Sequence, residues 1–79
     1  MKDRNGKEID ERKNVYILLG NMQRIPAVIV GDVAKPFPFF YHGRNGSEFI
    51  DESSDKMESF IIEREEWSRK IITGDDNEQ

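Results

Sequence analysis

Asp55-Lys56-Met57-Glu58-Ser59-Phe60-Ile61-Ile62-Glu63-Arg64-Glu65-Glu66-Trp67-Ser68-Arg69-Lys70-Ile71-Ile72-Thr73-Gly74 is the longest segment of the chain with a continuous helical period. Asp55 followed by Glu58 has the form of a capping box, and Gly74 before Asp75 and Asp76 has the form of a C-terminal cap. At about 100° per residue, Met57, Phe60, Ile61, Trp67, Ile71 and Ile72 fall within an arc of roughly 140°. The spacing predicts one amphipathic helix over 55–74. Ile62 lies roughly 140° from Met57, on the charged face with Glu58, Glu65 and Arg69.

Upstream, the pattern changes from helical to strand-like. Val15 to Leu19 is an apolar run closed by Gly20-Asn21, and Ile25 to Val30 is a second, closed by Gly31-Asp32. Pro26 lacks a ladder donor and belongs at the start or edge of its strand. Phe37 to Tyr41 is a short aromatic run whose entry is made irregular by Pro36 and Pro38. Residues 42–47 then read as a hairpin loop leading into a strand around Glu48 to Ile50. Both parities of the first two strands are apolar: Tyr16 and Leu18 oppose Val15, Ile17 and Leu19, and Val28 and Val30 oppose Ala27 and Ile29. A sheet with one wet face would alternate. One helix covers one face, so curling of the sheet or pairing into a homodimer is expected to cover the other.

The expected fold is therefore α+β: a small antiparallel β-meander of three to four strands, curled or SH3-like, followed by one C-terminal amphipathic helix. Residues 1–14 read as a polar N-terminal arm, loosely held or folded into a short hairpin at the Asn5-Gly6 turn signal, 15–74 as a single small domain and 75–79 as a disordered acidic tail. At 79 residues the chain holds one domain of modest stability.

Charge narrows the function. Residues 1–14 carry five basic and four acidic groups, 15–46 carry three and one, and 47–79 carry four and eleven, within a net charge of −4. An acidic C-terminal third repels phosphate backbones, so nucleic acid is not the first partner expected. The absence of cysteine removes disulfide and thiolate-metal chemistry and disfavours a secreted mini-protein. No apolar run approaches a membrane span and Met1 to Asn14 is charged throughout, so a cytoplasmic location is expected.

Asp3-Arg4-Asn5-Gly6-Lys7-Glu8-Ile9, ahead of a β-rich stretch, resembles the D-x-N-G-K-E-I opening of the C-terminal part of YopX-like phage and prophage proteins, which are similar to small SH3-like barrels. The match covers about ten residues; Glu11-Arg12 and Lys13-Asn14 occupy the region where a Gly-Asp pair usually follows. The resemblance implies a phage or prophage origin, a host-cytoplasm location, a closing strand at Met57 to Ile62 and no catalytic residue. The alternation of 57–62 is poor for a strand, and the helical stripe is the reading adopted.

No catalytic constellation is expected. His42 is the single histidine, at a hairpin mouth within reach of Ser47, and a nucleophile needs an orienting group as well. Glu65-Glu66 and Asp51-Glu52 diverge on any regular element, with Glu65–Arg69 and Glu66–Lys70 pairs the simpler account. Neither phosphate-loop pattern occurs, one histidine without cysteine excludes ordinary zinc spacing, and no calcium loop is present, so no metal or cofactor is expected. The expected function is a non-catalytic protein-binding module, a phage-encoded modulator or inhibitor of a host protein in its concrete form, acting through Glu58, Ile62, Glu65 and Glu66. The alternative is a small nucleic-acid-binding β domain that stacks bases on Phe37 and Phe40 beside Lys35, Arg44 and Arg24.

Overall fold

Seven short strands carry the fold in the computed structural model, which describes residues 1–74. β1 (Val15–Leu18), β2 (Arg24–Val30) and β3 (Val33–Pro36) form consecutive antiparallel pairs, with Ile17 opposite Ile25 and Ile29 opposite Ala34. β4 (Phe39–Gly43) and β5 (Gly46–Ile50) make a separate hairpin sheet. Two strands from the C-terminal third complete the larger sheet: β6 (Ile62–Glu63) pairs with β3, and β7 (Ile71–Thr73) pairs with β1. The resulting order is β6-β3-β2-β1-β7, a five-stranded curled half-barrel. Val15, Ile17, Ile25, Ile50, Trp67 and Ile71 are completely buried inside it.

The single helix expected over 55–74 is not formed. The segment divides into a 3-10 turn at Met57–Phe60, β6, a second 3-10 turn at Arg64–Glu66, the one-turn helix α1 (Trp67–Lys70) and β7. Three physical causes are visible. Ile61-Ile62 and Ile71-Ile72-Thr73 are β-branched runs that favour the extended backbone. β3 and β1 each offer an edge whose amides and carbonyls need partners, and these runs supply them. The Trp67 indole N–H donates to the Ile62 carbonyl at 3.0 Å, which fastens the α1 turn across β6 rather than along one helix axis. The capping box is absent: Lys56 precedes the first 3-10 turn without any side-chain cap bond. Gly74 does not end a helix either. A Cβ there would sit 2.9 Å from Tyr16 Cε2, so glycine lets the chain leave β7 against the tyrosine ring.

The apolar stripe is buried nonetheless. Met57, Trp67, Ile71 and Ile72 are buried, with Phe60 and Ile61 half-buried. Ile62, expected on a charged exposed face, is only 8 % exposed because β6 pairing turns its side chain inward. It is core and is withdrawn from any contact surface.

Curling covers the second sheet face in part. Leu18 is buried and Tyr16 and Val28 are half-buried, whereas Val30 remains exposed. β3 went unread in the sequence because Val33-Ala34-Lys35-Pro36 is four residues long and ends in proline.

Of the two expected forms of the N-terminal segment, the short hairpin about Asn5-Gly6 is the one present, and it is a built part of the fold. Lys2 and Glu8 bridge in antiparallel fashion, Ile9 is buried, and the Arg4 amide donates to the Ile71 carbonyl at 2.8 Å. Asp3 is nearly inaccessible. Its Oδ1 accepts the Asn5 and Lys7 amides at 2.8 and 2.9 Å, and Oδ2 accepts the Thr73 amide at 2.7 Å, so the turn in Asp3-Arg4-Asn5-Gly6-Lys7 is tied to β7. The acidic tail expected at 75–79 lies outside the described residues.

Candidate functional site

The β4–β5 hairpin carries the largest exposed aromatic surface of the described residues. Its register follows from the turn: Gly43 pairs with Gly46 across Arg44-Asn45, which places His42 opposite Ser47, Tyr41 opposite Glu48 and Phe40 opposite Phe49. Strand alternation then sorts the side chains. Phe39, Tyr41 and Ile50 face inward, where Phe39 and Tyr41 meet the Phe60 ring at centroid distances of 5.1 and 5.3 Å. Phe40, His42, Ser47 and Phe49 face outward. Phe40 and Phe49 are 58 % and 48 % exposed with their rings 4.9 Å apart, and Phe37, just before β4, is 41 % exposed.

The two edges of this hairpin are treated differently. On the β4 side, the Gln23 side chain acts as a substitute strand: its amide nitrogen donates to the Phe40 carbonyl, and its Oε1 accepts the His42 amide at 3.1 Å. Asn21 Nδ2 donates to the His42 carbonyl at 2.8 Å. The β1–β2 loop therefore joins the hairpin to the larger sheet and blunts its edge.

On the β5 side the situation is reversed. Because the backbone groups of residues 40 and 42 point away from β5, Phe40–Phe49 and His42–Ser47 are the non-bonded pairs of the ladder. The amides and carbonyls of Ser47 and Phe49 then point outward from β5. Among the described residues no group bonds to them. The row ends at Asp51, whose amide donates to Ser54 Oγ at 3.0 Å.

Met22 lies one residue from Gln23, is 71 % exposed and has a φ of 70°. A bulky side chain in the left-handed region is strained there.

The remaining residues singled out in the sequence fall into three groups. Lys35 and Arg44 are exposed, and among the described residues Arg44 forms no ion pair. Arg44 borders an open cleft with Tyr41, Ser47, Glu48 and Lys56. Within it Lys56 Nζ donates to Glu48 Oε1 at 2.8 Å, which holds the ammonium above its ordinary pKa. Glu58 and Glu65 are exposed and Glu66 is half-buried. Glu66 pairs with Arg69 at 3.8 Å, in place of the pairs expected from Glu65 to Arg69 and Glu66 to Lys70. The acidic residues therefore lie on separate short elements and do not share one helix face.

His42 Nδ1 and Ser47 Oγ are 2.8 Å apart, a side-chain hydrogen bond between directly opposed residues of the hairpin. Among the described residues no carboxylate bonds to the imidazole to complete a nucleophilic relay. No three histidine or acidic residues of the described chain gather as metal ligands.

Sequence reasoning reached Phe37, Phe40, Lys35 and Arg44 but missed Phe49, Gln23 and the free edge of β5. Phe49 was accessible from the register, since pairing Gly43 with Gly46 puts it beside Phe40. No family model, curated protein or solved structure matches this chain.

Proposed function

We propose that the protein is a non-catalytic protein-binding module whose docking surface is the outer face of the β4–β5 hairpin. The observation that carries this reading is the exposed Phe40–Phe49 pair beside an unpaired strand edge. Exposed aromatic side chains grouped on a polar protein are the composition of interface centres. Phe37, just before β4, and Met22, between the Asn21 and Gln23 side chains that bond to β4, are further exposed apolar residues, and the strain at Met22 is of a kind that clusters at functional positions. The acidic residues Glu58, Glu65 and Glu66 form the rival surface, and the likeness of residues 3–9 to phage proteins makes a host protein the concrete target.

Site-specific photo-cross-linking tests the reading in cells that produce the protein. A benzophenone amino acid at position 40 or 49 is expected to give a protein adduct, whereas the same group at position 65 gives none. The recovered partner should lose about tenfold or more in affinity for a Phe40→Ala/Phe49→Ala double variant, as interface anchors do. Adducts from position 65 alone would transfer the function to the acidic surface. Nuclease-sensitive adducts, with affinity falling steeply with salt, would favour the nucleic-acid alternative through Phe37, Phe40, Lys35 and Arg44.

A further inference from the structure

The geometry points to β5 as an acceptor edge for an extended segment of a partner protein, which adds a strand beside Ser47 and Phe49 and lays an apolar side chain against Phe49. This inference rests on the hairpin's being a protein-docking surface and specifies how docking occurs.

Three observations support it. First, the Ser47 and Phe49 backbone groups point outward and are unpaired among the described residues, a row of donors and acceptors at the strand repeat that a polypeptide strand matches. Second, the opposite edge of the same hairpin is closed by Gln23 and Asn21 side chains. The open edge is thus a local property of β5, and its bonding groups are held on a hairpin that is already docked. Third, the exposed Phe49 ring lies on this edge strand with Phe40 behind it. An incoming strand with apolar residues at alternate positions would extend that aromatic row.

A second copy of this chain fits poorly. Antiparallel pairing of β5 with itself so that both Ser47 and Phe49 are bonded sets Glu48 directly opposite the Glu48 of the second copy, between chains that each carry a net charge of −4. Centring the pair on Phe49 instead brings Ser47 opposite Asp51, whose amide is already bonded to Ser54. The occupant is therefore a heterologous extended segment, apolar at alternate positions and with a non-acidic residue opposite Glu48.

The test uses a displayed library of random linear peptides selected on the immobilised full chain. Enriched sequences are expected to share apolar residues at alternate positions. A synthetic peptide of this set should slow exchange of the Ser47 and Phe49 amides by about tenfold or more, as newly bonded amides do. Its affinity should fall by about tenfold with Ser47→Pro, which removes an outward donor without using one of the hairpin's own ladder bonds. Amide exchange in the unmodified protein decides the matter even if that variant misfolds. A peptide that requires Phe40 and Phe49 yet leaves both amides unprotected overturns strand addition and spares the docking surface. A library that yields no peptide dependent on Phe49 overturns both.

Discussion

Asp3 shows how much of this small fold rests on single side chains. Burial alone would raise its pKa. The Thr73 side chain and the Thr73, Lys7 and Asn5 amides outweigh that effect and hold it below the ordinary 3.8. A carboxyl whose pKa is lower folded than unfolded adds stability above the unfolded value, and that contribution is lost as pH falls through the folded value. Thermal melts below about pH 4 should therefore lose stability in the wild type, and the part due to this group should be missing from Asp3→Asn. At neutral pH the same substitution should cost about 3 kcal/mol, because it weakens charge-assisted bonds to three amides. Trp67 and Ile62 supply a paired test of the core. Trp67→Ala should cost about 3–5 kcal/mol, and Ile62→Glu should also be severe, about 3 kcal/mol or more, because it buries an unpaired carboxylate. Had Ile62 stood on a solvated helix face, the glutamate would have been nearly neutral in a denaturant melt.

At the scale of elements, the decisive unit is the junction between the β1–β2 loop and the β4–β5 hairpin. Gln23→Ala removes both side-chain bonds to β4 and should cost about 1–2 kcal/mol, with faster exchange at the His42 amide than at Glu48 as the local readout. Gly46 has a φ of 110°, so Gly46→Ala should destabilise the hairpin by about 1 kcal/mol even though no atom obstructs a Cβ there. Four of the seven strands were legible in the sequence because Val15 to Leu19, Ile25 to Val30 and the aromatic run are apolar runs bounded by turn residues or prolines, and the strand around Glu48 to Ile50 follows a clear hairpin-loop signal. The last third was misread because Met57, Phe60, Ile61, Trp67, Ile71 and Ile72 match a helical stripe equally when they are distributed over short turns and two edge strands. Periodicity measures spacing, whereas the open edges of β1 and β3 are a property of the assembled sheet. The same distinction explains the site: Phe40 and Arg44 announce themselves by type, while Phe49, Gln23 and the β5 edge acquire their roles only from register.

The whole molecule is a curled five-stranded sheet with a two-stranded hairpin fastened to it along one edge, its N-terminal turn tied to the last strand through Asp3. Among the described residues no helix is long and apolar enough to cross a membrane. Among the described residues the large apolar side chains still open to solvent are Met1, Met22, Val30, Phe37 and the hairpin pair Phe40 and Phe49. With Glu48 opposing itself in the best self-pairing register, sedimentation of the isolated protein is expected to give the mass of one chain up to about 100 µM, well above the range of specific interfaces; a stable dimer would require another surface. The most direct measurement of the central claim is amide hydrogen exchange, residue by residue, on the free protein. The Ser47 and Phe49 amides should exchange near the rate of an unstructured chain, while Glu48 and Ile50 in the ladder and His42 under Gln23 are slowed. Protection of Ser47 and Phe49 equal to that of Glu48 and Ile50 would mean that the β5 edge is already covered, and would contradict the account.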